Sequence, residues 1–170
     1  QYAYIFADSR AEAIVIAAPL LPLIEPVLAG LGNLRSVVVA GGEPRPETCA
    51  GRQCRAFDAV LAAGAPAPWI EPTVSDEVAF WLYSSGSTGE PKGARHVHSS
   101  LMATAQLYGQ EVLGIREDDV VFSAAKIFFA YGLGNSMSFP MSVGASTVLL
   151  AERPTPDKVL ELMRRHRPTI

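Results

Sequence analysis

Residues 78–93 read Val-Ala-Phe-Trp-Leu-Tyr-Ser-Ser-Gly-Ser-Thr-Gly-Glu-Pro-Lys-Gly, and this stretch decides how the rest of the sequence is interpreted. Its apolar first part, residues 78–83, predicts a buried β-strand. The part that follows is a loop of glycines and hydroxyl side chains with Lys92 near its end. Glycines let backbone N–H groups approach an anion, hydroxyls add hydrogen-bond donors, and the lysine adds a positive charge. The stretch predicts a polyphosphate-binding loop; an ordinary Ser/Gly surface turn is the alternative.

The loop differs from the phosphate loop of nucleoside triphosphatases, whose pattern is G-x-x-x-x-G-K-[ST]. Here Glu90 and Pro91 separate Gly89 from Lys92, and no hydroxyl residue follows the lysine. Residues 83–93 instead resemble, almost letter for letter, the phosphate-loop signature of the adenylate-forming superfamily. This superfamily includes acyl- and aryl-CoA ligases, luciferase-like enzymes and the adenylation domains of peptide synthetases.

The resemblance implies a set of ATP contacts in the loop. The residues that it places around the ATP phosphates are Ser84, Ser85, Gly86, Ser87, Thr88, Gly89 and Lys92. Thr88 is also the residue that it implies in the Mg²⁺ shell. Glu90 lies at a variable position of the signature and receives no role.

Length, composition and charge exclude several classes of protein. A sequence of 170 residues with 49% hydrophobic content fits one domain with a real core. Lysine and arginine number 14 against 17 aspartates and glutamates, without a basic block, so we expect no nucleic-acid partner. The uncharged run at 127–151 is interrupted by polar residues, glycines and one proline, which favours a buried helix and a strand over a membrane span. Cys49 and Cys54 match no zinc or redox motif, which predicts free thiols and a cytoplasmic location.

Apolar runs of strand length alternate with helical patterns along the chain. The predicted strands are 13–17, 36–40, 78–83, 119–124 and 146–150, and the predicted helices are 20–29, 57–63, 96–112, 131–141 and 157–166. Residues 41–55 and 64–75 are predicted loops. The expected fold class is α/β, a layered and mostly parallel sheet flanked by helices, with the phosphate loop at the carboxyl end of a strand.

Residues 123–135 read Ser-Ala-Ala-Lys-Ile-Phe-Phe-Ala-Tyr-Gly-Leu-Gly-Asn and form a second notable segment. Aromatic side chains beside small residues are typical of a flat apolar pocket, and equally of core packing at a strand-to-helix corner. The sequence of this segment is similar to that of the benzoate-CoA ligase branch of the superfamily, where the segment lines the carboxylate pocket. The resemblance implies an acid-pocket segment at 126–135, with Ala130, Tyr131 and Gly132 against the aryl ring.

Three further side chains have open interpretations. His96 and His98 fall at the predicted start of the helix after the phosphate loop, where a shared metal is disfavoured because they would point about 200° apart. His98 resembles a family histidine that positions the loop; bonding to nearby backbone at the helix start is the alternative. Lys126 is expected to pair with a carboxylate, face the site or reach solvent.

The resemblance implies an enzyme that uses ATP, Mg²⁺ and coenzyme A to activate an aromatic carboxylate, benzoate or a hydroxybenzoate. It forms aroyl-AMP and pyrophosphate, then aroyl-CoA and AMP. The 170 residues are expected to be an excised subdomain of the large N-terminal domain, without the C-terminal domain and inactive alone. The alternatives are an adenylation module that loads a carrier protein, a fatty-acyl ligase, and a non-catalytic nucleotide-binding domain. The ring substituent and the oligomeric state are not given by the sequence.

Overall fold

The computed structural model describes residues 1–64, 70–85 and 89–170. These residues form two compact units. The first comprises Gln1–Pro72 and Tyr83–Gly93, and the second comprises Thr73–Leu82 and Ala94–Ile170. We describe each unit by itself.

The first unit is built on a parallel sheet of three strands in the order β1-β2-β3. Ala13 lies opposite Ser36, and Ser36 lies opposite Gln53. The elements in chain order are α1 (Tyr2–Asp8), β1 (Ala13–Ala17), a 3₁₀ turn (Ala18–Leu20), α2 (Leu21–Leu28), β2 (Ser36–Ala40), a 3₁₀ turn (Pro46–Cys49), β3 (Gln53–Ala56) and α3 (Phe57–Ala62).

The core of the first unit follows from two periodicities. Along α2, Leu21, Ile24 and Leu28 recur at helical spacing and are buried, while Val37 and Val39 alternate along β2 and are buried as well. Burying one such aliphatic side chain stabilises the fold by about 1.5–3 kcal/mol. This cluster therefore fixes α2 against the sheet.

The second unit contains a two-stranded parallel sheet of β6 (Val120–Phe122) and β7 (Ser146–Val148), in which Val120 lies opposite Ser146. Strands β4 and β5 pair in a separate two-stranded sheet. Strands β4 (Val78–Ser84) and β5 (Lys92–Val97) each contribute residues to both units. The other elements of the second unit are α4 (His98–Thr104), a π-helical segment (Ala105–Gln110), β6 (Val120–Phe122), α5 (Ala130–Leu133), a second π-helical segment (Gly134–Ser138), α6 (Phe139–Val143), β7 (Ser146–Val148) and α7 (Pro156–His166).

Phe139 is the largest side chain in the core of the second unit. Its ring lies between two glycines, one in each π-helical segment. A Cβ atom on Gly109 would stand 3.0 Å from Cγ of Phe139, and one on Gly134 would stand 2.8 Å from its Cζ. The two glycines thus leave the space in which the ring packs.

The α/β class is confirmed, and strands 13–17 and 36–40 match their predicted bounds. Two predictions of local structure are wrong. Residues 41–55 contain a 3₁₀ turn and β3, and residues 92–97 form β5, so that His96 lies on a strand and not on a helix. Both missed strands are short of β-branched residues, which is why the apolar pattern did not reveal them.

The prediction of two free thiols is also wrong, because the structure joins Cys49 and Cys54 in a disulfide with a Cα–Cα distance of 6.0 Å. Left-handed backbone at Ala50 and Gly51 turns the chain between them. This reversal brings the start of β3 back beside the 3₁₀ turn, a proximity that the spacing of the two cysteines does not reveal.

Within the described ranges, none of the helices has both the length and the apolar character needed to cross a membrane. The uncharged run at 127–151 forms α5, the second π-helical segment, α6 and β7.

Candidate nucleotide-binding and acid-binding sites

The phosphate loop begins where the sequence predicts it, at the carboxyl end of β4. Ser84 is the last residue of that strand, and Ser84 and Ser85 are both exposed. Gly89 has a φ of 139°, a backbone conformation that favours glycine. Gly86, Ser87 and Thr88 lie outside the described residues, so the Mg²⁺ role of Thr88 stays a prediction.

Lys92 marks the end of the loop, because it is the first residue of β5. Its side chain is exposed, whereas the preceding Pro91 is buried. A lysine fixed through its backbone to a strand, with its ammonium group in solvent, is available to an anionic ligand. The described loop residues named in the sequence analysis, Ser84, Ser85, Gly89 and Lys92, all belong to the first unit.

Tyr83 holds the entrance of the loop to helix α1. Its phenolic oxygen donates a hydrogen bond of 2.7 Å to Oδ2 of Asp8. Burial, together with the bond to Asp8 and the negative charge of that carboxylate, raises the pKa of Tyr83 to about 12. The hydroxyl therefore stays a donor at neutral pH. This bond could not be predicted from the sequence, since no sequence pattern relates two residues 75 positions apart.

The acid-pocket segment does not gather its three predicted residues on one surface. Ala130, Tyr131 and Gly132 are successive residues of α5, so their positions around the helix axis differ by about 100° per residue. Ala130 and Tyr131 line two different cavities of the second unit, while Gly132 is buried against the backbone of Lys126. Their contact with an aryl ring stays a prediction.

The cavity beside Tyr131 is the better candidate for an aromatic acid. Its volume is about 320 Å³, within the range of small-molecule pockets, and it lies at the carboxyl end of β6. Tyr131 and Tyr108 give it aromatic walls, and Ser123 and Asn135 give it polar groups. Tyr131 is 71% exposed and thus accessible.

The cavity beside Ala130 is smaller, about 130 Å³, and mainly apolar. His96 lines it and stacks on Phe80, with ring centroids 4.9 Å apart and planes inclined by 7°. His98 begins α4, and its backbone N–H donates to the carbonyl of Glu77 at 3.1 Å. Stacking gives His96 a packing role. The bond of His98 is made by its main chain, so the role of the His98 side chain stays a prediction.

Lys126 acts as a cap on the backbone after β7. Its ammonium group donates to the carbonyl oxygens of Leu150, Ala151 and Glu152, the last two at 3.2 Å and 2.5 Å. These acceptors match the three donors of a lysine. Among the three interpretations left open by the sequence, the structure supports none and shows a backbone contact instead.

These features agree with the comparison to known proteins: the whole chain, residues 1–170, matches the AMP-binding enzyme family and belongs to it. The resemblance to adenylate-forming enzymes is therefore confirmed. The chain is 53% identical over 169 residues to a benzoate–CoA ligase of Thauera aromatica. The matched residues cover 99% of this chain and 30% of that protein. It is 46% identical over 170 residues to a 4-hydroxybenzoate–CoA/benzoate–CoA ligase of Rhodopseudomonas palustris, covering 100% of this chain and 30% of that protein.

A solved structure of another aromatic acid–CoA ligase has a similar fold. The crystal structure of the anthranilate CoA ligase AuaEII in complex with anthranoyl-AMP superposes with a TM-score of 0.87 at 35% identity, covering 99% of this chain and 32% of that chain. The chain thus spans about 30% of the length of the curated relatives that it matches.

Proposed function

We propose that the chain is the phosphate-loop portion of an AMP-forming ligase that converts benzoate or a hydroxybenzoate into its CoA thioester. The observation that carries the proposal is the loop at 83–93, set between β4 and β5, in a chain 53% identical to a benzoate–CoA ligase. A cytoplasmic location is part of the proposal, because ATP and coenzyme A are its cosubstrates.

In the first step, a carboxylate oxygen of the acid attacks the α-phosphorus of ATP. The bond from that phosphorus to the bridging oxygen of the β-phosphate breaks, and pyrophosphate leaves. The backbone N–H groups and hydroxyls of the loop hold the β- and γ-phosphates, and Lys92 stabilises the charge that grows on the leaving group. Positioning of the phosphates and electrostatic stabilisation are therefore the contribution of this loop.

Mg²⁺ would neutralise part of the polyphosphate charge when bound with ATP. Thr88 is the residue of this chain that we expect to reach it. In the part of the chain that the structure describes, no group of three or more histidine, cysteine, aspartate or glutamate side chains is placed to hold a metal ion.

In the second step, the thiolate of coenzyme A attacks the carbonyl carbon of aroyl-AMP, and the carbon–oxygen bond to AMP breaks. The acid is proposed to lie in the cavity beside Tyr131, where a flat ring would pack against the tyrosine and the amide of Asn135 could bond to a ring hydroxyl. This placement supports a compact aromatic acid over a long-chain one.

The proposed activity is tested with the full-length enzyme that we propose contains this chain. The enzyme is given Mg·ATP and coenzyme A with acetate, octanoate, benzoate or a hydroxybenzoate, and AMP, pyrophosphate and ADP are measured. We expect AMP and pyrophosphate with the aromatic acids only. Turnover of acetate or octanoate would overturn the aryl pocket, and ADP formation would overturn the ligase class.

Two finer parts of the proposal have their own readouts. If AMP release requires a carrier protein and does not require coenzyme A, the acceptor of the aroyl group is the carrier protein and not coenzyme A. We also propose that the 170-residue chain alone does not catalyse, because its relatives are much longer than the part they share with it. Carboxylate-dependent AMP formation by the chain alone would contradict this.

A further inference from the structure

We propose that Asp8 and Tyr83 are positioning residues for the phosphate loop, and that their hydrogen bond sets the affinity of the loop for ATP. The inference rests on the proposed function, because it assigns a role to the same loop. Neither residue is proposed to contact ATP.

Tyr83 lies at the start of the loop in the chain. It directly precedes Ser84, the residue where β4 ends, and β5 resumes only at Lys92. The entrance of the loop therefore depends on what fixes Tyr83. The phenol of this half-buried residue provides such a constraint, through the 2.7 Å bond to Asp8.

Asp8 itself lies at a well-defined helix end. It is the last residue of α1, and Arg10 beyond it adopts a left-handed conformation with a φ of 52°. The N–H of Ala11 donates to the carbonyl of Phe6 at 3.2 Å, and that of Arg10 donates to Ala7 at 3.2 Å. This pair of bonds is the Schellman arrangement, which terminates a helix with its carbonyls satisfied.

Helix α1 is in turn packed against the core of the first unit. Phe6, on the same helix as Asp8, packs against the cluster that contains Ile24 and Val37. An anchor on α1 is therefore an anchor on the packed core. Strand β1, the first strand of the sheet, follows α1 after four residues. The helix that binds Tyr83 through Asp8 is therefore also connected closely to the sheet.

The chemistry of the pair fits a permanent contact. The raised pKa of Tyr83 keeps its proton on the phenol, and a carboxylate is a stronger acceptor than a neutral oxygen. The donor and the acceptor are thus a matched pair, and their bond suits a fixed contact.

The experiment compares Tyr83→Phe, Asp8→Ala, Asp8→Asn and the double variant Asp8→Ala/Tyr83→Phe in the full-length enzyme. The readouts are the Kd for Mg·ATP by calorimetry, the KM values for ATP, benzoate and coenzyme A, and Tm. We expect Tyr83→Phe and Asp8→Ala to weaken ATP binding by about five- to tenfold, which corresponds to about 1–1.4 kcal/mol. The KM values for benzoate and coenzyme A should stay unchanged.

Two comparisons separate positioning from general damage. The double variant should be no worse than Tyr83→Phe alone, because that variant already removes the bond to Asp8 as well as the bond of the Tyr83 hydroxyl with Ser9. Asp8→Asn should recover much of the affinity through its amide oxygen. Tyr2→Phe is the matched control: it removes a hydroxyl from α1 and keeps the ring that stacks on Phe6.

The outcomes also distinguish this inference from the proposed function. Wild-type enzyme that binds Mg·ATP without turning over aromatic acids would overturn the proposed function. The ATP affinities of the variants would still test the positioning role of the bond between Asp8 and Tyr83. Variants that bind Mg·ATP as tightly as wild type would overturn the positioning role of the bond between Asp8 and Tyr83. A lowered Tm with all KM values raised alike would overturn it as well. Wild-type enzyme that binds no Mg·ATP would overturn both.

Discussion

Gly132 lies so close to the backbone of Lys126 that a Cβ atom built on it would stand 2.0 Å from the Lys126 carbonyl oxygen and 2.5 Å from the carbonyl carbon. Backbone at this distance cannot yield as a flexible side chain can. The corner between β6 and α5 is therefore closed by one stretch of main chain lying on another. Glycine at 132 is required by packing, whether or not the residue also faces a substrate.

Replacement of Gly132 by alanine should destabilise the protein by about 1–3 kcal/mol or more, because the new methyl group overlaps the backbone. The midpoint of urea unfolding of the full-length enzyme measures this. Gly32→Ala is the matched control, since nothing lies within 4 Å of a Cβ atom there. Equal midpoints for the two variants would contradict the packing argument.

Lys126→Met should remove the cap on the carbonyls of residues 150–152 while keeping the apolar stem. We expect a loss of about 1–3 kcal/mol, since hydrogen bonds from a charged donor are stronger than neutral ones. Lys158→Met, which removes the exposed ion pair with Glu152, is the control and should cost less than about 1 kcal/mol. The two variants are compared by urea unfolding. A larger cost for Lys158→Met would reverse the assignment.

Lys92→Ala should slow adenylation by about tenfold or more with little change in Tm, because its exposed side chain supports the leaving group and not the core. The measurement is the rate of pyrophosphate release by the full-length enzyme. Arg95→Ala removes another exposed cation from β5 and serves as the control. A rate like that of the control would show that Lys92 has no part in the reaction.

The sequence predicted the elements that follow regular patterns. The alternation of valines in β2 and the helical spacing of apolar residues in α2 reflect burial that each element largely sets by itself. The loop at 83–93 can be proposed from the sequence because the chemistry on which the proposal rests is local. Strands β3 and β5 were missed, since Gln53–Ala56 and Lys92–Val97 contain few of the residues that strands favour, and only their neighbours make them strands.

The contacts that build the candidate sites were beyond prediction for a related reason. Tyr83 meets Asp8, and Lys126 meets the carbonyls of residues 150–152, across long intervals of sequence. Neither pair has a periodicity or a spacing rule. The disulfide between Cys49 and Cys54 depends on left-handed backbone at Ala50, which non-glycine residues rarely adopt.

Tyr131→Ala should change which substituted benzoates the enzyme prefers, because it enlarges the cavity in which we place the ring. Bulkier substrates should gain by several-fold in kcat/KM relative to benzoate, since each methylene-sized change in a pocket is worth about 1–3 kcal/mol. Phe128→Ala is the matched control: this neighbouring aromatic residue is 75% exposed and lines a different cavity. An unchanged preference profile would make Tyr131 a surface residue without a role in selection.

Asp119 gives the second unit a pH dependence that can be tested. Its carboxylate accepts hydrogen bonds from Oγ1 of Thr169 at 2.6 Å and from the N–H of Arg116 at 2.7 Å, and these bonds lower the pKa of Asp119 below its ordinary value of 3.8. A carboxyl with a lowered pKa in the folded state adds stability that is complete above the ordinary pKa and is lost as the pH falls through the lowered one.

Asp119→Asn should therefore lose less stability than wild type as the pH is lowered from about 5 through the ordinary pKa of 3.8 towards the lowered pKa of the folded state. Urea midpoints measured across that range give the two slopes. Asp118→Asn, which removes the exposed carboxylate of the adjacent residue, is the control for net charge. If Asp118→Asn flattens the acid limb as much as Asp119→Asn does, the effect belongs to overall charge and the bond to Thr169 has no measurable share in it.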